Sequence, residues 1–566
     1  MSNEAAYKKA SHGPTAAIAL PPHRHVLLLD YLIENKLERR MIMENQNQSM
    51  IINPILPGFN PDPCMVRNGE DYYLVTSTFE WYPGAPVYHS KDLRNWRHLT
   101  NILTNVNFAG NPDSGSVWAP ALSCHDGIFY FVFTDMKRSK YPFKDAHNYL
   151  MTSTDIMGPW SEPVFMNSGS FDPSLFHDED GRKWFLNIQW DYRIEGRNKS
   201  AGIVMQEYSP EENKLTGPIY KIFDGTDLRK TEAPHIYKQN GYYYLVTAEG
   251  GTGWTHAVTV ARSRKITGPY EVDPQNPMMT SVHDKKLTLQ KAGHGSIVCT
   301  QTGEWYMAHL CSRPVKGEYS ILGRETALQR VKWTEDGWLR LEHGGIEPET
   351  EVIAPALPEH PFPADNNEHD HFRGEELHKT WNTLRSAPDE SWCTLTERKD
   401  YLRIRGGESL HSLTDQHLIA RRQQHLSCEV ETSIEFEPDH FLQMAGLVLY
   451  YNTDNYVYFY LSRDEEKGKI LDIMKCAWGE FEHLNMKIPV EGTSPCRLKA
   501  LLEEDSVKFS HSCENGEWKE MGVPISISHL SDEGNGFTGN YVGIAVQDLQ
   551  GTKKHADFDY FSYKAK

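Results

Sequence analysis

Long apolar runs are absent from the 566-residue sequence, because no stretch of about 18 consecutive apolar residues occurs. We therefore expect no membrane span. The first 48 residues contain only short apolar stretches, and no cleavage-type sequence follows them, so we expect no secretory signal peptide either. Together these absences predict a cytoplasmic protein.

Paired cysteines are also absent. The chain has nine cysteines, an odd number, and none of them forms a C-x-x-C pair. A disulfide framework and a structural zinc site are therefore not expected, and a reducing compartment suits the sequence better.

Basic residues are outnumbered, since 58 Lys and Arg face 77 Asp and Glu and the formal net charge is −19. Nucleic acids and anionic membranes bind basic surfaces, so neither is an expected partner. Aromatic residues, in contrast, are abundant, with 14 Trp and 28 Tyr. A neutral substrate with apolar faces is compatible with this composition.

An internal repeat occupies the first 350 residues. In each unit a small or acidic residue, usually before Pro, precedes a short apolar strand, a polar turn and an aromatic-rich strand. The five units begin at Asn60 (NPDPCMVRNGEDYYLVTST), Val117 (VWAPALSCHDGIFYFVFTD), Phe171 (FDPSLFHDEDGRKWFLNIQW), Glu232 (EAPHIYKQNGYYYLVTAEG) and Gly293 (GHGSIVCTQTGEWYMAHL). Hairpins repeated about every 55 to 60 residues predict a five-bladed β-propeller within an all-β protein.

Three acidic residues fall at the same phase of this repeat: Asp62, Asp172 and Glu232. The first strand of each propeller blade lines the central channel, so we expect these carboxyl groups to lie close together. A single Asp before Pro is more often a turn residue. Three at one phase indicate a catalytic group, because close carboxyls raise one another's pKa. Such a group suits glycoside hydrolysis, which needs one protonated and one ionised carboxyl.

Aromatic residues near these acids are candidates for packing against sugar rings. They are Phe79, Trp81, Trp118 and Trp190. The alternative for each is ordinary packing within a blade.

Many motifs resemble glycoside hydrolase family 43, and most closely its β-xylosidases with a C-terminal β-sandwich. They include NPILPGFNPDPCMV, STFEWYPG, SGSVWAP, FDPSLFHDEDGRK, GTDLRKTEAPHIY, YYYLVTAEGGT, KAGHGSIV and LGRETALQR. The resemblance implies an inverting enzyme with Asp62 as general base and Glu232 as general acid. It implies that Asp172 orients Glu232 and raises its pKa.

The same resemblance implies further site residues. Thr252 and Arg324 would contact substrate, although Arg324 has an alternative as the partner of Glu325 or another acid. His294 would contact substrate near the channel axis and help to hold a hydrated divalent cation, often Ca²⁺. The alternative for His294 is a structural core histidine. No cofactor is expected to be required for the chemistry.

Domain boundaries follow from the repeat and from composition. We predict a poorly ordered extension over 1–48, the propeller over 49–352 and a proline-rich linker over 353–369. The segment HVLLLDYLIENKLERR within the extension predicts one amphipathic helix.

Alternating strands predict a β-sandwich over 370–566, concanavalin-like by resemblance. The resemblance also implies that Phe537 of this domain caps the active-site pocket, the alternative being packing within the sandwich. A capped pocket favours release of xylose from the non-reducing ends of xylo-oligosaccharides.

Three alternatives to the β-xylosidase remain open. The first is a predominant α-L-arabinofuranosidase, because the two sugars present similar hydroxyl patterns. The others are a non-catalytic sugar-binding propeller and a retaining enzyme in which Asp62 is the nucleophile. The resemblance further suggests a homo-oligomer, a dimer or a tetramer.

Overall fold

The computed structural model describes residues 49–566 except 364, 366, 367, 493, 494, 514 and 515. Apart from one 3₁₀ turn at Asp532–Gly534, the regular structure of these residues consists of β-strands, which confirms the all-β prediction. The predicted extension 1–48 and its helix lie outside the described residues. No helix in the described part of the chain has the length and apolarity needed to cross a bilayer.

Five antiparallel sheets form the first domain and confirm the five-bladed propeller. Blade one contains Cys64–Asn68, Asp71–Val75, Gly84–Ser90 and Arg97–Leu103. Blade two contains Ser116–Val117, Ala121–His125, Ile128–Lys140, Phe143–Ser153 and Val164–Ser168. Blade three contains Ser174–His177, Lys183–Trp190, Ser200–Ser209 and Lys214–Phe223. Blade four contains Glu232–Gln239, Tyr242–Glu249, Ala257–Ser263, Glu271–Val272 and Met279–Thr280. Blade five contains Gln290–Cys299, Trp305–Ser312, Glu325–Trp333 and Leu339–Leu341.

A glycine in the left-handed region closes the first hairpin of every blade. These residues are Gly69, Gly127, Gly181, Gly241 and Gly303, with φ between 64° and 87°. Tight hairpin turns need positive φ, which glycine adopts without the steric cost of a Cβ. The polar turn of the sequence repeat therefore corresponds to this hairpin.

The two ends of the propeller chain meet at a short two-stranded sheet. Met50–Ile52 pairs antiparallel with Glu351–Ile353, and Leu56 forms a bridge with Thr326 of blade five. The first residues of the domain are thereby attached to its last blade. Between Glu351–Ile353 and His369–Asp370 the described residues form no strand.

Two antiparallel sheets form the C-terminal domain and confirm the β-sandwich. In pairing order, one sheet contains Cys393–Thr394, Leu402–Arg405, His555–Ala565, Ser427–Glu435, Cys496–Glu503, Ser506–Ser512 and Lys519–Glu520, with His369–Asp370 and Ile525–Ser526 paired at its sides. The other contains Leu418–Arg422, Tyr541–Asp548, Gln443–Asn452, Asn455–Asp464, Gly468–Ala477 and Glu480–His483, with Ile488–Pro489 beside Gly468–Ala477. The apolar core of the domain lies between the two sheets.

The second sheet also packs against the propeller. Trp81 is fully buried and stacks on Tyr541 of the sandwich, with ring centroids 3.6 Å apart. Next to this contact, Trp81–Tyr82 pairs with Thr383–Leu384 in a two-stranded sheet shared by the two domains. The sandwich is thus joined to blade one by both side-chain packing and backbone pairing.

One disulfide is present, although the cysteine pattern predicts no disulfide framework. Cys496 begins one strand, Cys513 directly follows the strand paired with it, and the two are joined by a disulfide. Their spacing of 17 residues has no sequence signature, because the register of the two strands brings them together. The other seven cysteines are free.

Candidate active site

Two acidic residues of the repeat stand at equivalent places in their blades, and the third, Glu232, directly precedes the residue of blade four with the same left-handed backbone, Ala233 (φ 51°). Asp62 and Asp172 each precede the first strand of their blade by two residues, and Glu232 begins the first strand of blade four. Asp62, Asp172 and His294 of blade five have φ of 55°, 53° and 53°. Left-handed backbone is uncommon for residues other than glycine and concentrates at functional sites. The repeated conformation directs these side chains into one channel.

A cavity of about 360 Å³ opens at this end of the propeller. Ten of the eleven residues predicted for the site line it: Asp62, Phe79, Trp118, Asp172, Trp190, Thr252, Glu232, His294, Arg324 and Phe537. Such a volume lies at the small end of the range for small-molecule sites. The structure brings the ten residues together, and their individual roles stay predictions.

Asp62 is buried and held by hydrogen bonds on both carboxylate oxygens. Ser77 Oγ donates to Oδ2 at 2.5 Å, and Arg324 Nη1 donates to Oδ1 at 2.8 Å. His294 Nδ1 lies 3.7 Å from the same Oδ1. A charge-assisted bond from a guanidinium fixes the orientation of a carboxylate. Asp62 therefore presents an immobile acceptor to the cavity. Arg324 pairs with this acid, while Glu325 pairs with Arg313.

Asp172 is buried and Glu232 is half-buried, and their carboxyl groups interact electrostatically. Burial raises the pKa of Glu232 to about 7, and the Asp62 carboxylate raises it as well, while Lys144 opposes the rise. Burial and then the Glu232 charge raise the pKa of Asp172 well above its ordinary value. The pair therefore retains a proton near neutral pH. Burial, rather than the charge of Asp172, is the largest cause at Glu232, which differs from the sequence-based expectation.

Aromatic rings form the wall of the cavity. Phe79 contacts Trp118 and Phe537, with ring centroids 6.1 and 6.0 Å apart, and Trp118 contacts Phe171 at 5.1 Å. Phe537 belongs to the sandwich, so the second domain supplies part of the wall. The prediction that Phe537 reaches the pocket agrees with this placement.

A close approach of two glycines lets the sandwich reach the site. A Cβ on Gly323 of the propeller would lie 2.7 Å from the Cα of Gly539 of the sandwich, so neither of the two segments has room for a side chain there. Beside this contact, Arg324 Nε and Nη2 donate to the Phe537 carbonyl at 3.2 and 3.1 Å. The Phe537 main chain is thereby fixed against blade five.

Two family models match the chain. The glycosyl hydrolases family 43 model matches residues 51–339, and the beta xylosidase C-terminal concanavalin A-like domain model matches residues 369–564. The chain belongs to glycoside hydrolase family 43. It is therefore a glycoside hydrolase, as the motifs of the sequence predict.

Relatives of this glycoside hydrolase extend over nearly the whole chain. A beta-xylosidase of Bacillus subtilis is 46% identical over 534 residues, which are 91% of this chain and 100% of that protein. A xylosidase/arabinosidase 43B of Humicola insolens is 45% identical over 90% of this chain and 97% of its own length. The crystal structure of a xylan beta-1,4-xylosidase from Bacillus halodurans is 54% identical, with a TM-score of 0.89 over 91% of this chain and 100% of that one.

Several lining residues of the glycoside hydrolase site were missed from the sequence. Phe171 begins the third repeat unit, and the others lie outside the repeat motif: Lys144, Arg197, Asn198, Ser200, Lys230 and Gly251. Lys144 Nζ lies 4.3 Å from the Trp118 ring centroid and 4.9 Å from that of Trp190, a cation–π arrangement. Burial lowers the pKa of Lys144 to about 8, although Glu232 and Asp172 oppose this. The second hairpin of blade two has strands of 13 and 11 residues, and this unusual length is the feature that could have drawn attention to Lys144.

Trp81 is a correction to the predicted aromatic set. Its ring is buried at the domain interface against Tyr541 and does not line the cavity. Trp81 therefore stabilises the contact between domains and does not meet substrate.

His294 does not belong to a set of protein ligands for a metal. Within residues 49–566 and their stated gaps, no group of three or more His, Cys, Asp and Glu side chains is arranged to hold an ion. The carboxylate nearest to His294 is that of Asp62, which already accepts from Arg324. These residues do not fit a cation held by direct protein ligands.

Proposed function

We propose that this family 43 enzyme is an inverting exo-β-xylosidase that releases D-xylose from the non-reducing ends of short β-1,4-xylo-oligosaccharides. The observation that carries the proposal is the pairing of unlike carboxyls in one cavity. Glu232 has a pKa of about 7 and can supply a proton, while Asp62 is oriented as an acceptor by Arg324 and Ser77. Inverting glycosidases need one group of each kind.

The proposed reaction is a single displacement. Glu232 donates its proton to the oxygen of the leaving sugar as the glycosidic bond breaks. Asp62 accepts a proton from a water molecule whose oxygen bonds to the anomeric carbon from the opposite face. Asp172 accepts a hydrogen bond from the backbone N–H of Ala233, at 3.1 Å, and so supports the segment that carries Glu232.

Exo action follows from the shape of the cavity. Its wall is closed on one side by Phe537, and its volume of about 360 Å³ suits the end of a chain better than the middle of a polymer. The relatives named beta-xylosidase over nearly their whole length support the same substrate class.

Product stereochemistry tests the proposal. In ¹H NMR of xylobiose hydrolysis, we expect α-xylose to appear first from the β-linked substrate, followed by mutarotation. Glu335 is exposed and does not line the cavity, so Glu335→Gln is the matched control for Glu232→Gln, the variant of the proposed acid. First appearance of β-xylose would establish retention and overturn the single displacement. Absence of xylose release would overturn the β-xylosidase assignment.

Arabinofuranosidase activity is the second candidate, supported by the Humicola insolens relative named xylosidase/arabinosidase. We expect the enzyme to prefer an aryl β-D-xylopyranoside over the matching aryl α-L-arabinofuranoside in kcat/KM. A reversed preference would make the arabinofuranosidase the primary activity.

Three further expectations from the sequence stay predictions: a hydrated divalent cation near His294, a homo-oligomer and a cytoplasmic location. Within the described residues His294 belongs to no cage of direct protein ligands, so the cation would be held through its water molecules. Addition of EDTA or Ca²⁺ during turnover tests the cation, and light scattering tests the oligomer.

A further inference from the structure

Ser114 occupies a junction between the catalytic pocket, the sandwich and a buried acid. Its side-chain Oγ accepts a hydrogen bond from the backbone N–H of Phe537 at 2.9 Å. Its carbonyl accepts from Trp118 Nε1 at 2.8 Å, and its own N–H donates to Glu80 Oε2 at 3.0 Å. Ser114 therefore touches two residues of the pocket wall without lining the pocket itself.

The backbone at Ser114 indicates that the hydroxyl has a use. Its φ is 56°, in the left-handed region that glycine and asparagine adopt at lower cost. The neighbouring Gly115 is packed so closely that a Cβ would lie 2.8 Å from the Pro112 carbonyl and 2.9 Å from that of Met136. The turn therefore packs tightly against blade two, which fixes the position of Ser114.

Glu80 stabilises this turn by accepting the hydrogen bond from the Ser114 N–H. It is fully buried, and burial together with the charge of Asp113 raises its pKa to about 8. The carbonyl of Glu80 accepts from the N–H of Arg385, whose guanidinium pairs with Asp113 at 2.7 Å. These contacts connect the turn to the sandwich through Arg385.

We propose that Ser114 is a positioning residue that holds Phe537 of the sandwich over the catalytic pocket. Phe537 is then fixed at both of its backbone polar groups: the N–H by Ser114 of blade two and the carbonyl by Arg324 of blade five. Phe537 is 41% exposed, so burial alone fixes its position less than these two backbone hydrogen bonds do. The inference rests on the proposed function, because the held ring is the one expected to contact the sugar.

Replacement of Ser114 by glycine separates the effect of the hydroxyl from that of the backbone conformation. Ser114→Gly removes the acceptor but suits the positive φ, so it does not strain the turn. We expect KM for xylobiose and the inhibition constant for D-xylose to rise about three- to tenfold, the loss of one hydrogen bond. We expect kcat to change by less than about threefold and the melting temperature not to fall.

Ser116 provides the matched control. It lies two residues further on with φ of 60°, but its hydroxyl accepts from Asn111 rather than from the sandwich. Ser116→Gly is expected to leave KM and xylose inhibition within about twofold of wild type. Equal effects of the two replacements on KM would overturn the proposal, as would a Ser114→Gly enzyme with wild-type KM and xylose inhibition.

Two further measurements complete the test: a double variant measured with substrate, and hydrogen exchange measured without it. In the double variant Ser114→Gly, Phe537→Ala, KM should equal that of Phe537→Ala alone, and additive effects would overturn the inference. Hydrogen exchange of the peptide that contains Phe537 should be faster in Ser114→Gly and unchanged in Ser116→Gly. If the wild type releases no xylose, the proposed function fails, and the exchange result still decides whether Ser114 holds the loop.

Discussion

The guanidinium of Arg324 forms hydrogen bonds to Asp62 and to Phe537 at the same time. Nη1 donates to the Asp62 carboxylate at 2.8 Å, while Nε and Nη2 donate to the Phe537 carbonyl. A single side chain therefore joins the proposed general base to the sandwich domain. The orientation of the base depends on a contact between domains.

Replacement of Arg324 by lysine tests this link. Lysine retains the charge but cannot supply the three donors in their planar arrangement. We expect Arg324→Lys to lower kcat/KM by about 10- to 100-fold, the cost of a lost charge-assisted hydrogen bond. Arg330→Lys, in the strand that follows and paired with Glu304 and Glu342, is the control and should remain within about twofold. A comparable loss in both variants would contradict the link.

The role of Glu232 predicts a dependence on the leaving group. Glu232→Gln should lower kcat on xylobiose by about 10²- to 10⁴-fold, the usual contribution of general acid catalysis. On an aryl xyloside with an acidic phenol the loss should be much smaller, because that leaving group departs without protonation. Steady-state kinetics on both substrates measure the difference, and equal losses would assign Glu232 another role.

Lys144 predicts a shift of the pH profile. Its positive charge favours the ionised form of Glu232, so its removal raises the pKa of that carboxyl. The acid works protonated, so activity falls as pH rises through the pKa, which is about 7 in the wild type. Lys144→Gln should therefore move the alkaline limb of kcat to higher pH. Lys140→Gln, on the exposed part of the same hairpin, should leave the limb in place. A shift to lower pH would contradict the assignment.

Trp81 predicts a loss of stability rather than of binding. Its side chain is fully buried against Tyr541, so Trp81→Ala should lower the free energy of unfolding by about 3–5 kcal/mol. Trp478→Ala, at a residue that is 57% exposed, should change it by less than about 0.5 kcal/mol. Urea unfolding followed by circular dichroism measures both. Equal midpoints in the two variants would contradict the buried contact.

The repeat explains why the carboxyl cluster was predictable. Asp62 and Asp172 occupy one phase of a period and Glu232 lies one residue before it, and a propeller converts nearly equal phase into spatial proximity. The sequence therefore predicted which acids meet, without a distance for any pair. Lys144 was not predictable in this way, because it lies on the second hairpin of blade two, whose strands are longer than those of the second hairpins in the other blades.

Trp81 and the disulfide show where local patterns are insufficient. In STFEWYPG two rings lie two residues apart, and regular alternation would place Phe79 and Trp81 on one face. The left-handed φ of 52° at Phe79 breaks this alternation and sends Trp81 to the sandwich. The pairing of Cys496 with Cys513 depends on strand register, which composition does not encode.

The segment 532–540 belongs to the sandwich, whereas the acids belong to the propeller. The proposed acid and base and the ring that limits the space beside them are therefore carried by separate domains. Because Arg324 bonds both to Phe537 and to Asp62, a change in the length or sequence of this segment reaches the proposed base as well as the space for the sugar. Substrate range and chemical mechanism are therefore linked through one arginine.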